Sequence, residues 1–181
     1  MLNALLLGAL SAGLHLHPAS ALSARADVAN GDGPRGGGPA AIADSVVIEK
    51  AAHKLTLFHL GRPIRSYKIA LGRNPVGDKV SAGDHRTPEG LFSIDSRNPQ
   101  SHYHLSLHIS YPDARHRAQS AALGVSPGGD IMIHGLPTGR HQVGAAHRIA
   151  DWTFGCVALT DEEIEEIWSV VPNGTPVEIK R

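Results

Sequence analysis

The chain carries one cysteine, Cys156, and twelve histidines among its 181 residues. A thiol attacks as its thiolate, and with a reference pKa near ~8.5 little of it is ionised at neutral pH. A histidine within hydrogen-bonding reach removes that obstacle by accepting the proton and later returning it to a leaving amine. His134 is the best placed of the twelve, because it directly follows the apolar run Ile131-Met132-Ile133, and a strand end holds a side chain rigidly. Gly155 precedes the thiol and lets the backbone approach closely. The amides of Gly155 and Cys156 are candidates for an oxyanion hole. A plainer alternative makes Cys156 a small core residue and His134 a satisfied buried polar group. One cysteine cannot close an intramolecular disulfide; in an exported protein such a thiol is free and reactive, or pairs between chains.

Two such residues, far apart in sequence, need a fold to bring them together. Ordered structure is expected from Ser45. Val46-Val47-Ile48 reads as a strand. Lys54–Leu60 and Ile64–Leu71 alternate apolar with polar residues across Gly61-Arg62-Pro63, the pattern of a β-hairpin. Residues 72–90 are dense in turn formers, and their Asn-Pro, Gly-Asp and Thr-Pro pairs argue for an ordered functional loop. Leu91–Ile94 is the next strand. In the run 102–111, an extended backbone would put His102, His104 and His108 on one face, a metal-ligating pattern. No carboxylate or thiol adjoins that run, so a solvated face opposite Leu105, Leu107 and Ile109 is preferred and no metal is expected.

A short helix over Asp113–Leu123 and a turn at Ser126–Gly129 lead to the strand 131–133. Residues 135–151 show no clear period and read as a loop or short helix over the site. Val157–Leu159 is a further strand. Thr160 and Glu163 form a capping box for a helix whose inner face carries Ile164, Ile167, Trp168 and Val171. Pro172-Asn173-Gly174 ends that helix, and Pro176–Ile179 is a last strand. The fold class is mainly β (α+β): a β-sandwich-like mixed-sheet domain with one C-terminal amphipathic helix and a short helix before the site strand.

Apolar residues make up 41% of the chain, enough for one core, while Gly 20 and Pro 12 favour turns over a helical bundle. Lys plus Arg and Asp plus Glu stand at 17 each, so there is no basic excess to hold a nucleic acid or an anionic bilayer. Twelve histidines make the charge sensitive to mild acid. Residues 1–21 hold an apolar run too short to span a membrane, followed by Ala19-Ser20-Ala21, and read as a secretory signal peptide despite lacking a basic start. Residues 22–44 read as a flexible Gly/Pro-rich linker, leaving 45–181 as the catalytic domain.

Ile131–Gly135 followed by Thr153-Phe154-Gly155-Cys156-Val157-Ala158-Leu159 resembles the active-site signature of L,D-transpeptidases of the YkuD type. Upstream, Ala70-Leu71-Gly72, Pro75, Gly77, Lys79 and Gly83–Gly90 resemble the family's segment ahead of the site. So do Ser106-Leu107, Tyr111-Pro112 and Pro127-Gly128, and the likeness covers about Ser45 to Lys180. It implies Cys156 as nucleophile, His134 as general base and acid, and the Gly135 carbonyl as the group that orients the imidazole. It further implies peptidoglycan stem peptides as substrates. Attack at the L-centre carbonyl of diaminopimelate would expel a D-amino acid and pass the acyl group to an amine.

The family's usual Ser-His before Gly-Cys is here Thr153-Phe154, so a second histidine beside the thiol is missing. Asp151-Trp152-Thr153 resembles a D-W-T-x-G-C branch that attaches or detaches diaminopimelate-linked partners. That leaves water as an alternative acceptor, giving an amidase or carboxypeptidase; a peptidoglycan-binding module is the non-enzyme alternative. Arg86, Arg148 and Asp151 are candidates to hold the zwitterionic diaminopimelate end. No cofactor is implied, the partners are stem peptides and a peptidoglycan-linked protein, the state is monomeric and the location periplasmic. Activity is expected to fall on the acid side as His134 protonates.

Overall fold

Alternation at Leu55 and Leu57 makes Lys54–His59 (β2) a strand with one buried side, and it is sandwiched between two partners. Ser45–Glu49 (β1) pairs with it antiparallel, and so does Arg62–Lys68 (β3). The computed structural model describes residues 41–181. The signal peptide and most of the linker expected from the sequence lie outside these residues. Ala43 and Asp44, assigned above to the linker, are already docked. Ala43 is buried and donates its amide to Val170 O at 2.8 Å, and Asp44 N donates to Phe58 O at 2.9 Å.

The β2–β3 hairpin turns at Leu60 and Gly61 (φ 50° and 71°), so Arg62 and Pro63 belong to the strand rather than to the turn. Pro63 is tolerated because β3 lies at the edge of the sheet order, next to a register shift at Leu57/Phe58. That shift explains the irregular alternation of β3, in which Tyr67 is buried and Ile64 only partly so.

Gly90–Ser101 (β4) runs far beyond the expected Leu91–Ile94. Its first residues pair with Pro176–Lys180 (β8), and from Ile94 onward, across an irregularity at Ile94/Ser96, it pairs with His104–Ile109 (β5). A strand that changes partner midway turns a corner in the sheet. Met132–His134 (β6) and Val157–Ala158 (β7) complete the order β3-β2-β1-β8-β4-β5-β6-β7. Bridges Ala70↔Ala158 and Gly72↔Thr153 then join the chain leaving β3 to the β7 end, so the sheet curls round its core. Ile48, Leu55, Leu57, Ile94, Leu107, Ile133 and Leu159 fill that core. The mainly β, mixed-sheet class expected from the sequence is the one observed.

Ala114–Ala122 (α1) starts at Asp113, whose side chain accepts from His116 N. Asp161–Val170 (α2) carries the expected capping box, Thr160 with Glu163, and three acids in its first turn. Its buried face is Ile164, Ile167 and Val170, and the helix packs on β5. Burying each such side chain is worth about 1.5–3 kcal/mol, which fixes the helix N-terminus beside β6. Trp168 is partly buried, packs against the core as expected, and lies under Arg97, whose guanidinium carbon is 3.9 Å from the ring centre.

Residues 72–90 form an ordered loop, as expected. Burial alone would raise the Asp84 carboxyl, but Lys79 and the amides of Arg86, Ser81 and Val80 hold it at about 2. The buried Lys50 ammonium donates to Thr87 O (2.8 Å) and Glu89 (2.9 Å), clamping the far end. His104 pairs with Glu165 (2.7 Å) and His108 with Asp95 (2.6 Å), while His102 lies in the β4–β5 turn. Among the described residues no helix is long and apolar enough to cross a membrane.

Candidate active site

β6 and β7 run parallel, with Ile133 opposite Val157 and His134 opposite Ala158. Cys156 therefore enters beside the start of β6, and His134 stands at its end. The thiol faces the Asp130–Met132 stretch: Sγ donates to Asp130 O at 3.5 Å and receives a backbone hydrogen bond from Met132. Two residues of extended chain separate Met132 from His134, roughly 6–7 Å along the strand. Among the described residues the thiol's hydrogen bond goes to the Asp130 carbonyl and not to the imidazole. Catalytic hydrogen bonds are commonly long before substrate binds.

The His134 ring is 3% exposed, with its Nδ1 2.7 Å from Gly135 O. A carbonyl can only accept, so Nδ1 carries the proton and Nε2 keeps its lone pair. Tyr103 lies against the ring with centroids 4.4 Å apart, and Trp152 meets it edge-on at 5.8 Å. Gly135 is fixed in turn, its amide shared between Tyr103 O and Leu105 O. A Cβ there would meet Asp161 Oδ1 at 2.7 Å and Ile164 at 3.0 Å. That Asp161 oxygen also accepts from Leu136 N at 2.8 Å, tying the segment after His134 to the first turn of α2. Burial pushes the imidazole down to about 4; the Gly135 carbonyl opposes this and His147 adds to it.

Thr153 shapes the thiol's turn. Its hydroxyl accepts from Gly155 N (3.1 Å) and donates to Cys156 O (2.7 Å). Gly155 sits at φ 130°, and a Cβ there would come within 2.7 Å of Arg86 O. With the Gly155 amide taken by Thr153, Cys156 N–H is the remaining donor of the two expected for an oxyanion. Burial pushes the thiol's pKa up, as does the Asp130 charge, while the Met132 amide and Lys79 pull it back.

The three substrate-contact candidates are all engaged inside the domain. Arg86 donates to Asp78 O at 3.3 Å, Arg148 pairs with Glu163, and Asp151 accepts from Leu71 N (2.7 Å) and His53 Nε2 (2.9 Å). What lies open by the thiol is Phe154, 63% exposed, with the Arg73 guanidinium over its ring. Beside the start of β6 a polar groove of about 550 Å³ is lined by Asp95, Asn98, Ser106, His108, Asp130 and Met132. A more apolar cavity of about 370 Å³ lies between Leu136, Val143, His147, Ile149 and Trp152. Sequence reasoning passed over Thr153, Asp130, Tyr103 and Asp161. Two of these left a signal: Thr153 as a member of the motif before Gly155-Cys156, and Asp161 as an acid in a first helical turn.

A family model described as the L,D-transpeptidase catalytic domain matches residues 43–179. YafK of Escherichia coli (strain K12), whose name carries a provisional L,D-transpeptidase assignment, is 31% identical over 108 residues. That match takes in 59% of this chain and 36% of YafK, so the chain spans about a third of this relative. The helical cell shape determining protein Pgp2 from Campylobacter jejuni superposes with a TM-score of 0.59 at 25% identity, over 81% of this chain and 52% of that one. An L,D-transpeptidase from Mycobacterium smegmatis shares the fold, with a TM-score of 0.51 at 15% identity over 77% of this chain and 59% of that one.

Proposed function

The chain belongs to the L,D-transpeptidase catalytic-domain family, and from that premise we propose that it is a cysteine acyltransferase acting on diaminopimelate-containing stem peptides of peptidoglycan. In this reading the Cys156 thiol attacks the carbonyl at the L-centre of diaminopimelate, and its proton passes to His134 Nε2 as the C–S bond forms. Oxyanion charge develops within reach of Cys156 N–H. Collapse breaks the C–N bond, His134 returns the proton to the departing D-amino acid amine, and a thioester remains on Cys156. An incoming amine then gives a proton to His134 and attacks the thioester, and the thiol is regenerated with that proton.

The observation that carries this reading is the Nδ1–H to Gly135 O bond at 2.7 Å. It leaves the basic nitrogen of His134 available on the strand parallel to the one Cys156 leads. Acting on peptidoglycan places the enzyme outside the cytoplasmic membrane, in the periplasm.

The decisive experiment incubates the purified chain with tetrapeptide muropeptides and follows products by mass. Cross-linked dimers joined through two diaminopimelates, with loss of the D-amino acid, are expected. Shortened or released peptides alone would assign water as acceptor and make the enzyme a hydrolase on the same two residues. A Cys156→Ser variant that turned over normally would remove the nucleophile from its role.

A further inference from the structure

We propose that Arg73, held over Phe154 at the edge of the thiol's turn, binds a carboxylate of the substrate and sets its selectivity. This deepens the reading above and rests on it. Arg73 is placed by the same bridge that carries the nucleophile's turn: Gly72 pairs with Thr153, and Arg73 N donates to Thr153 O at 3.0 Å. Thr153 in turn bonds both Gly155 N and Cys156 O. The guanidinium is therefore anchored, through backbone, to the residues that define the attacking sulfur.

Its side chain is oriented twice more. Nε donates to Trp152 O at 3.2 Å, and the guanidinium carbon lies 4.9 Å from the Phe154 ring centre. Both contacts leave the terminal nitrogens unspent, and among the described residues no carboxylate pairs with Arg73. His85 meets the other part of the Phe154 ring, centroids 4.9 Å apart, so the exposed aromatic is itself braced. An anchored, always-charged fork of donors with its outer nitrogens open matches a carboxylate in charge and geometry. Arg86 and Arg148 differ here, since each has a buried Nε without a partner and a side chain turned to internal acceptors.

Charge near the thiol gives the orientation. Asp130 and Asp95 line the groove beside Met132, so a substrate carboxylate is repelled there and drawn to Arg73. The exposed face of Phe154 attracts the Arg73 guanidinium and helps hold it in place.

A stem peptide offers this chemistry from two sources, the terminal D-residue and the free diaminopimelate carboxyl. The test measures kcat and KM of the full chain on three tetrapeptide stems: unmodified, amidated at the terminal D-residue, and amidated at diaminopimelate. Wild type is expected to prefer the unmodified peptide over one of the two amides by about ten- to a hundredfold, the range of a charge-assisted hydrogen bond. The amide that suffers identifies the carboxylate. In Arg73→Gln that ratio should collapse towards one, through KM, and Arg73→Lys should keep an intermediate ratio. The rate of iodoacetamide alkylation of Cys156 reports whether the turn is intact in each variant. Equal losses on all three peptides, or an unchanged ratio in Arg73→Gln, would overturn the assignment to Arg73 while leaving the acyl-transfer reading in place. Wild type that turns over none of the three would overturn that reading, and this proposal with it.

Discussion

His134 donates its Nδ1–H to the carbonyl of Gly135, the very next residue, at 2.7 Å. The imidazole and its acceptor are thus consecutive in the chain, and the ring cannot turn without breaking a bond to its own backbone. The arrangement holds because Gly135 has no side chain: a Cβ there would run into Asp161, Ile164 and Tyr103 O.

Gly135→Ala tests that contact. A methyl group placed 2.7 Å from Asp161 Oδ1 and 3.0 Å from Ile164 must displace α2 or the 135 backbone, at about 1–3 kcal/mol. Stability by urea denaturation should fall by that amount. kcat should fall by roughly tenfold or more, because a 1 Å shift of the base is costly. A variant with normal kcat would separate the Gly135 carbonyl from catalysis.

Acid should act at lower pH than an ordinary histidine suggests. Burial brings His134 down to about 4, so the acid limb of acylation is expected near that value and not across pH 5–8. Stability follows the same gap. Between the ordinary imidazole value near ~6.5 and about 4, the unfolded chain binds a proton that the folded chain does not, so stability drops as pH falls through this window. A gap of this size is worth on the order of 3 kcal/mol for His134. His147, lowered by burial and by Arg148 to about 4, acts in the same direction. Urea midpoints of wild type and His134→Gln measured from pH 7 to pH 4 isolate the contribution: wild type should lose more. Parallel curves would contradict it.

Much of this could be read from residue order. The capping box of Thr160 and Glu163, the α1 start at Asp113 and the strand leading to His134 are local events, decided by side chains within a few positions of one another. The course of β4 was not legible, because its second half is polar and becomes a strand only by pairing with β5. Nor was the bridging of residues 70–72 to 153–158, which depends on the sheet curling back on itself. That same long-range event commits Asp151 to Leu71 N and brings Arg73 over Phe154, while Arg86 and Arg148 are committed to Asp78 O and Glu163. Charge is visible in a sequence, but which charges remain unspent is decided by tertiary contacts.

Thr153→Val separates shape from hydrogen bonding in the turn that carries Cys156. Valine fills the same space but can neither accept from Gly155 N nor donate to Cys156 O. Two buried backbone groups lose their partner, at roughly 1–3 kcal/mol each before relaxation. kcat should fall at least tenfold as Cys156 loses its fixed position, with the thiol still alkylated by iodoacetamide. Thr153→Ser, which keeps the hydroxyl, should recover most of the activity.

Asp151 offers a choice between strut and substrate contact. Its carboxylate is 14% exposed and takes hydrogen bonds from Leu71 N and His53 Nε2. Leu71 lies between the two bridges that close the sheet, Ala70↔Ala158 and Gly72↔Thr153, so Asp151 pins the seam that carries Arg73 and the thiol's turn. A group spent this way has little left for a ligand. Asp151→Ala should lower stability by about 1–3 kcal/mol, since the Leu71 amide loses its acceptor. KM for a stem peptide at a temperature where the variant is folded should stay within about twofold, the change expected when no substrate interaction worth a kcal/mol is removed. A KM raised about tenfold with stability unchanged would instead make Asp151 a ligand for the diaminopimelate ammonium, and the seam would have to be held by its backbone bridges alone.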